Sequence, residues 1–221
     1  MYIYGRNVAR EALKKEVEEI YLQEGFSDDD ILNKIKNFKI LKKKEMDALV
    51  SGNHQGIILK VKDYEYTNLE DIEGDFLVIL DHIEDPHNLG AIIRTCEAAG
   101  VSGIILPKNR SVAVNETVMK TSSGALENIK IAQVTNLNMT IKNLKKKGFW
   151  FIGTDMIGTN YKEIDYSGKI AVVIGNEGSG MNHLTKQEMD FTASIPMKGK
   201  VNSLNASVAA GIIIFEAASR K

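Results

Sequence analysis

Residues 79–106, ILDHIEDPHNLGAIIRTCEAAGVSGIIL, constrain the fold more than any other stretch of the chain. They read as strand, loop, helix, strand. The apolar run Leu77–Leu80 ends in Asp81, and a polar loop, Asp85-Pro86-His87-Asn88, follows. Pro86 works against helix and sets up a turn, and Asn88 then reads as the helix N-cap. Leu89, Ile92, Ile93, Cys96 and Ala99 recur at helical spacing, Gly100 closes the helix, and Val101–Leu106 is a second apolar strand. A polar loop that leaves the carboxyl end of a strand and feeds a helix is where α/β proteins place their ligand sites. Arg94 stands out, less than two turns into that helix, because Ala91 and Ala98 beside it leave room for a ligand. A surface arginine paired with Glu97 accounts for it equally well.

From Asp75 onward the pattern repeats. Apolar runs predict strands at 76–81, 101–106, 129–132, 149–154, 169–174 and 191–195, and helical periodicity predicts helices at 88–99, 115–121, 136–147, 182–189 and 203–219. Such alternation implies a largely parallel sheet covered on both faces. Residues 1–62 read as a smaller α/β domain. Its helix runs from Gly5 to Lys15 with Val8, Ala12 and Leu13 on one face, and a strand covers Glu19–Gln23. Ser27 caps a helix carrying Ile31, Leu32, Ile35 and Phe38, followed by a strand to Leu41, a helix over Lys43–Val50 and a strand over Gly56–Val61. Residues 63–74, DYEYTNLEDIEG, are polar and acidic and read as a linker, leaving 75–221 as the larger domain.

The net charge of −1 gives no bulk attraction to nucleic acid, so any RNA contact has to be local. Charge is polarised within the small domain: residues 11–30 hold eight acids against two lysines, and residues 34–62 hold eight lysines against Glu45 and Asp47. The lysine run reads as a solvated face or as a phosphate-binding stripe. The single cysteine, Cys96, rules out a disulfide framework and points to a reducing, cytoplasmic compartment. No apolar run approaches the length of a membrane span, and the N-terminus does not read as a signal peptide. His54, His82, His87, His183 and Cys96 lack metal-ligand spacing, so no metal is expected.

Two further stretches could carry chemistry. In IAVVIGNEGSGM, residues 170–181, a buried strand runs into Gly175-Asn176-Glu177-Gly178-Ser179-Gly180. The spacing matches neither the dinucleotide fingerprint nor a P-loop, and a plain tight turn is the alternative. Glu177 within it suits hydrogen bonding to a hydroxyl or amine, or is an ordinary loop acid. In SIPMKGKVNSLNASVAAGIIIFE, residues 194–216, Ser203 caps a helix apolar nearly all round, which is buried in the core or in a subunit interface. Ser203, Asn205 and Ser207 at its start are polar groups beside that core, explained by capping alone or by a site.

These three stretches, in order, resemble the three successive motifs of the SpoU (TrmH) family of S-adenosylmethionine-dependent RNA ribose 2′-O-methyltransferases. The beginning YGRNVAREAL and the later HQGIIL resemble the L30e-like RNA-binding domain that precedes the catalytic domain in that family, in particular in its RlmB-like branch of 23S rRNA guanosine methyltransferases. The resemblance implies an α/β SPOUT fold, a parallel sheet whose C-terminal segment forms a trefoil knot, and a homodimer. It implies donor-binding positions at Thr154, Gly175, Asn176, Ile195 and Leu204, and catalytic or ribose-orienting positions at Asn88, Arg94, Glu177, Ser203 and Asn205. It implies large-subunit rRNA as substrate, with tRNA or a non-catalytic role in ribosome assembly as the alternatives. RNA would be held by the lysines of 34–62 together with Arg110, Lys198 and Lys200.

Overall fold

The computed structural model describes residues 1–14 and 16–221, which divide into two compact units, Met1–Glu65 and Tyr66–Lys221. The first unit runs β1 (Tyr2–Tyr4), α1 (Arg6–Ala12), β2 (Glu19–Gln23), α2 (Asp29–Leu32), β3 (Lys39–Leu41), α3 (Lys43–Leu49), β4 (Ile57–Lys60). Its sheet has the order β1-β4-β2-β3, in which β4 is antiparallel to both neighbours and β3 is parallel to β2. Strand β1 is too short to show a sequence pattern, yet it pairs along β4 from Tyr2↔Lys60 to Tyr4↔Ile58. Gly5, at φ 94°, makes the sharp change of direction into α1 that a side chain would resist. Lys15, the expected end of that helix, lies outside the described residues, and the helix itself stops at Ala12. Tyr21, Met46 and Ile58 form a buried cluster flanked by Tyr2, Tyr4 and Leu41.

Two expectations for this unit need correcting. Asp28, not Ser27, caps α2, its carboxylate accepting from the Ile31 amide at 3.3 Å. The helix ends at Leu32, so Ile35 is buried from a turn beyond it and Phe38 is 43% exposed. Two of the eight lysines are also taken up internally: Lys39 and Lys60 both donate to Glu19. Lys39, then Tyr21 and Lys60, hold the Glu19 carboxyl down at about 2.

The second unit runs β5 (Phe76–Asp81), α4 (Pro86–Ala98), β6 (Gly103–Pro107), α5 (Glu116–Ser122), β7 (Ile131–Val134), α6 (Leu137–Lys146), β8 (Trp150–Asn160), β9 (Ile170–Gly175), α7 (His183–Gln187), β10 (Phe191–Ser194), α8 (Ala206–Ser219). Its six strands have the order β10-β8-β9-β5-β6-β7, and every pairing is parallel. This is the parallel α/β sheet expected of the SPOUT class. From β5 the chain builds outward through β6 and β7, crosses to β8, and then sets β9 between β8 and β5. The order of strands therefore reverses beside β5 and β9, and a crevice opens at their carboxyl ends. All six residues of β5 and of β9 are buried, which is why both read as unbroken apolar runs. Leu77, Ile79, Ala171 and Val173 meet Leu137, Ile141 and Leu144 of α6 in one core cluster, while α4 lies against α5 and α8. At Gly90 on α4 a Cβ would lie 2.6 Å from the Thr121 side chain, so glycine lets α4 and α5 approach.

The division between the units falls inside the stretch expected as linker. From Tyr66 on, that stretch lies on the second unit: the Thr67 amide donates to the Ile131 carbonyl at 2.8 Å, and Leu69 and Ile72 pack on the core cluster.

Two helix starts differ from expectation by more than one residue. Asp85 caps α4, accepting from the His87 amide at 2.8 Å, and Pro86 opens the helix instead of preceding it. Proline suits the first helical position because its missing N–H has no partner there. Asn88, expected as the cap, is thus a residue of the first turn with its side chain released for other work. At the far end Asn205, not Ser203, caps α8, accepting from Ser207 and Val208 amides at 2.9 and 3.3 Å. Helix α7 covers only His183–Gln187, capped by Asn182.

Strand β8 also runs to Asn160, well past its expected end. Along β10 the partner jumps from Gly153 at Thr192 to Thr159 at Ala193, so residues 154–158 bow out of the ladder. The Ser194 hydroxyl pins the far side of the bow, donating to the carbonyls of Gly158 and Thr159 at 3.0 and 3.2 Å.

Candidate active site

The crevice is built from the ends of β5 and β9, which are paired at Asp81↔Gly175. Asp81 is fully buried, and both its oxygens are used. One lies 2.5 Å from Nδ1 of His82, and the other accepts from the Asn182 amide at 2.6 Å. His82 takes a left-handed backbone (φ 62°), and its carbonyl accepts from Nδ2 of Asn176 at 2.8 Å. The glycine-rich loop is therefore held to β5 at both ends. Asn176 and Gly180 close it on themselves by a reciprocal backbone pair of 3.0 and 2.9 Å. A Cβ on Gly175 would lie 2.3 Å from the Met181 amide nitrogen, which is the close approach that requires glycine here.

Beside this loop lies a cleft of about 350 Å³. Thr154, Gly175, Asn176, Ile195 and Leu204, the five expected donor contacts, all line it, as do Glu177 and Ser203. Buried Ile174 and Ile213 contribute to its wall, and exposed Glu177 and Ser203 stand at its mouth. Asp155 and Met156, from the bow of β8, line it too and were not expected; nothing in the sequence marks a strand that leaves its ladder. Burial raises the Asp155 carboxyl, but the Lys186 ammonium 2.6 Å away and the amides of Ile157 and Met156 outweigh it, and the group sits below its usual value.

At the mouth the three motifs meet. Oε1 of Glu177 accepts from Nδ2 of Asn88 and, at 2.8 Å, from Nδ2 of Asn205. Asn205 also donates to Oδ1 of Asn88 at 3.0 Å, and Asp85 accepts from Asn88 at 3.2 Å. Asn88 is 5% exposed, so its amide is locked by these partners. Asn205 serves two roles: its oxygen caps α8 while its nitrogen holds Glu177. Among the described residues Oε2 of Glu177 makes no hydrogen bond, which leaves an acceptor facing solvent at the mouth. Asp85 was missed as a contributor, although an aspartate before proline at a helix start is itself a capping signal.

Arg94 is not brought into the cluster. It is exposed on α4, about 9 Å along the helix axis from Asn88 at 1.5 Å per residue. Among the described residues it makes no hydrogen bond or ion pair. The pairing with Glu97 is not formed, and Glu97 accepts instead from Asn128 at 3.3 Å. Cys96, further along α4, is buried and its thiol is pushed up by that burial. Among the described residues there is no cluster of three or more metal-ligating side chains, and no helix is long and apolar enough to cross a membrane.

A parallel sheet that carries a glycine-rich loop, a cleft and a locked amide–carboxylate cluster at its reversal point defines an α/β enzyme with one composite site. The chain belongs to the SpoU RNA methyltransferase family: residues 75–215 match the SpoU rRNA Methylase family, and residues 2–67 match the RNA 2′-O ribose methyltransferase substrate binding family. It is 40% identical over 233 residues to a putative TrmH family tRNA/rRNA methyltransferase of Bacillus subtilis, covering 97% of this chain and 94% of the relative. Its fold is similar to that of an S-adenosylmethionine-bound rRNA methyltransferase from Sinorhizobium meliloti (27% identity, TM-score 0.73, 98% of this chain and 85% of that one). It is also similar in fold to the SpoU methyltransferase AviRb from Streptomyces viridochromogenes, solved with the same donor (21% identity, TM-score 0.77, 99% and 89% covered).

Proposed function

We propose that this chain methylates a ribose 2′-hydroxyl of RNA with S-adenosylmethionine as donor, and that the target is a guanosine of large-subunit (23S) rRNA. The observation that carries the reading is the Asn88–Glu177–Asn205 cluster at the mouth of the cleft. It sets a rigid carboxylate oxygen where a ribose hydroxyl can be held beside a bound donor.

The cleft fits the donor. Its size lies within the range of small-molecule sites, roughly 300–1,000 Å³. Apolar Ile195 and Leu204 suit an adenine, and Thr154 in the bow of β8, with the carbonyls of Gly175 and Asn176, offers backbone groups to its edge. The donor, when bound, supplies an electrophilic methyl on a positively charged sulfur. The chain's own residues then have two tasks. Glu177, Asn205 and Ser203 orient the ribose, so that the 2′-oxygen approaches in line and orientation entropy is lost on binding. Removal of the hydroxyl proton is the second task, and Arg94 is a poor base for it, since a guanidinium pKa exceeds about 12. Arg94 instead binds the adjacent phosphate and lowers the pKa of the hydroxyl, and the proton leaves to that phosphate or to water.

Arg94 stands outside its own chain's cleft, which supports a homodimer in which it acts at the partner's site. Val208 and Phe215 on α8, each 51% exposed, offer an apolar face for such a contact beside α4. The reading includes the trefoil knot of the C-terminal segment, consistent with Asn182 docked on Asp81 far away in sequence. It includes a cytoplasmic location, where the RNA substrate resides.

The test uses tritiated S-adenosylmethionine with separate rRNA and tRNA pools from a strain lacking the gene, and nuclease mapping of the label. The expected product is 2′-O-methylguanosine in large-subunit rRNA. Label in tRNA would keep the reaction and overturn the substrate, an outcome in keeping with the tRNA/rRNA designation of the Bacillus subtilis relative. Donor binding with no label in any pool would favour a non-catalytic role in ribosome assembly.

A further inference from the structure

A cleft of about 820 Å³ in the first unit lies between α1, the turn after β2, α3 and the loop 52–56. Its walls are unusually well fixed for a surface loop region. Nε2 of His54, a residue 5% exposed, lies 3.1 Å from the Asp47 carboxylate, and its Nδ1 accepts from the Gly56 amide at 3.0 Å. The ring is thereby held as the tautomer protonated at Nε2. Gln55 takes a left-handed backbone (φ 52°), a conformation that costs free energy and is kept only when its surroundings impose it. Here they do: Asn53 accepts from its amide at 3.2 Å, and its own side chain accepts from the Arg6 amide at 2.9 Å. Arg6 lies over the Phe26 ring, 5.2 Å from its centre, and Phe26 is seated against Gly56.

The charges in this cleft nearly cancel. Arg6, Arg10 and Lys43 face Glu24 and Asp47 in its lining, and buried Asp28 sits 2.7 Å from Arg10 and 3.7 Å from Arg6. A groove built to follow a phosphate backbone would carry excess positive charge, and this one does not. What it offers is a guanidinium over an aromatic ring, with the amides of Asn7, Gln23 and Asn53 around it. That is the chemistry that takes an unstacked base, stacking on its face and bonding to its edge.

We infer that this cleft binds one unpaired nucleotide of the RNA substrate, its base stacked on the Arg6–Phe26 platform. The inference rests on the RNA methyltransferase reading and adds to it a second, base-reading contact in the first unit. This contact supplies selectivity for single-stranded structure, and the exposed Lys34, Lys36, Lys42 and Lys44 supply the electrostatic attraction.

The two contributions separate by salt. The full-length protein is titrated, over a series of salt concentrations, with a large-subunit rRNA stem-loop and with a fully paired duplex of the same length. Arg6→Gln should weaken stem-loop binding roughly 5- to 150-fold, the range of one lost base stack, and leave duplex binding and the salt slope unchanged. Lys34→Ala with Lys36→Ala should instead lower both affinities and reduce the slope. Since Arg6 also ties α1 to the loop, the wild-type protein is in parallel photocrosslinked to a stem-loop bearing 4-thiouridine in its unpaired segment, and a crosslink within residues 23–26 or 53–56 is expected. Equal affinities for Arg6→Gln and wild type together with crosslinks confined elsewhere would overturn the inference, even with methylation intact. Loss of methylation activity in the wild-type protein itself would instead count against the reading beneath it.

Discussion

Gly175 at the end of β9 and Gly178 and Gly180 in the loop after it should respond to alanine in three different ways. At Gly175 the added Cβ would lie 2.3 Å from the Met181 nitrogen, 2.4 Å from the Gly180 carbonyl carbon and 2.9 Å from its oxygen. Ordinary contact begins near 3.4 Å, so the backbone at 180–181 has to retreat by about 1 Å. It cannot rotate aside as a side chain would, because the Asn176–Gly180 pair and the Asn182 amide on Asp81 hold it on both sides. Overpacking of this kind costs about 1–3 kcal/mol, which for a domain of this size lowers the melting temperature by roughly 2–12 °C. The same shift moves Asn176 and Glu177 at the cleft proposed for the donor, and a misplacement near 1 Å costs about 100-fold in rate. Gly180→Ala meets no atom within 4 Å but must hold φ 68°, a strain of about 1–2 kcal/mol without a clash. Gly178→Ala meets only Oδ1 of Asn176, at an ordinary 3.6 Å, and should stay within about 0.5 kcal/mol of wild type. Calorimetric melting, donor titration and single-turnover methylation would be measured on all three. A Gly175→Ala protein that melts and binds donor like wild type, or a Gly178→Ala protein that is the most damaged, refutes the reasoning.

Other consequences can be checked with less work. Asn205→Ala removes a helix cap, costing about 0.5–2 kcal/mol, and also frees Glu177; Asn205→Asp keeps the cap but sets a second carboxylate against Glu177, so thermal stability should recover only in part in Asp while methylation stays low in both. The Asp155 carboxyl lies below its unfolded value of 3.8, so its stabilisation is fully present above that pH and lost as pH falls through the folded value. The melting deficit of Asp155→Asn should therefore be constant near neutrality and shrink below about pH 4. Cys96 is buried with its thiol raised by desolvation, so it should resist thiol reagents in the native protein at pH 8 and react once the protein is unfolded.

Much of this architecture is legible in the chain itself. Buried strands such as 170–175 announce themselves as apolar runs, and helices such as α4 and α6 by their periodicity. The order of motifs is enough to name the family, and Thr154, Gly175, Asn176, Ile195 and Leu204, far apart in the chain, line one cleft. Local chemistry decides these features, because strand and helix patterns depend on neighbours within a few residues. Other features depend on distant partners. That Asn88 is freed from capping turns on Asp85 and Pro86 taking over the helix start. That Asn88, Glu177 and Asn205 share hydrogen bonds turns on β9 entering the sheet beside β5, a choice of neighbour that the pattern of either strand leaves open. The bow of β8, which carries Asp155 to the cleft, arises from a register jump against β10 that no periodicity records. The neutral cleft of the first unit is likewise assembled from four separate segments, so its lysine-rich sequence suggests a charged surface while the tertiary packing places amides and a stacked arginine there. The sequence by itself thus determined the elements and the chemical groups, and only tertiary packing decided which groups meet, because strand order and register are set by long-range pairing energies shared across the whole sheet.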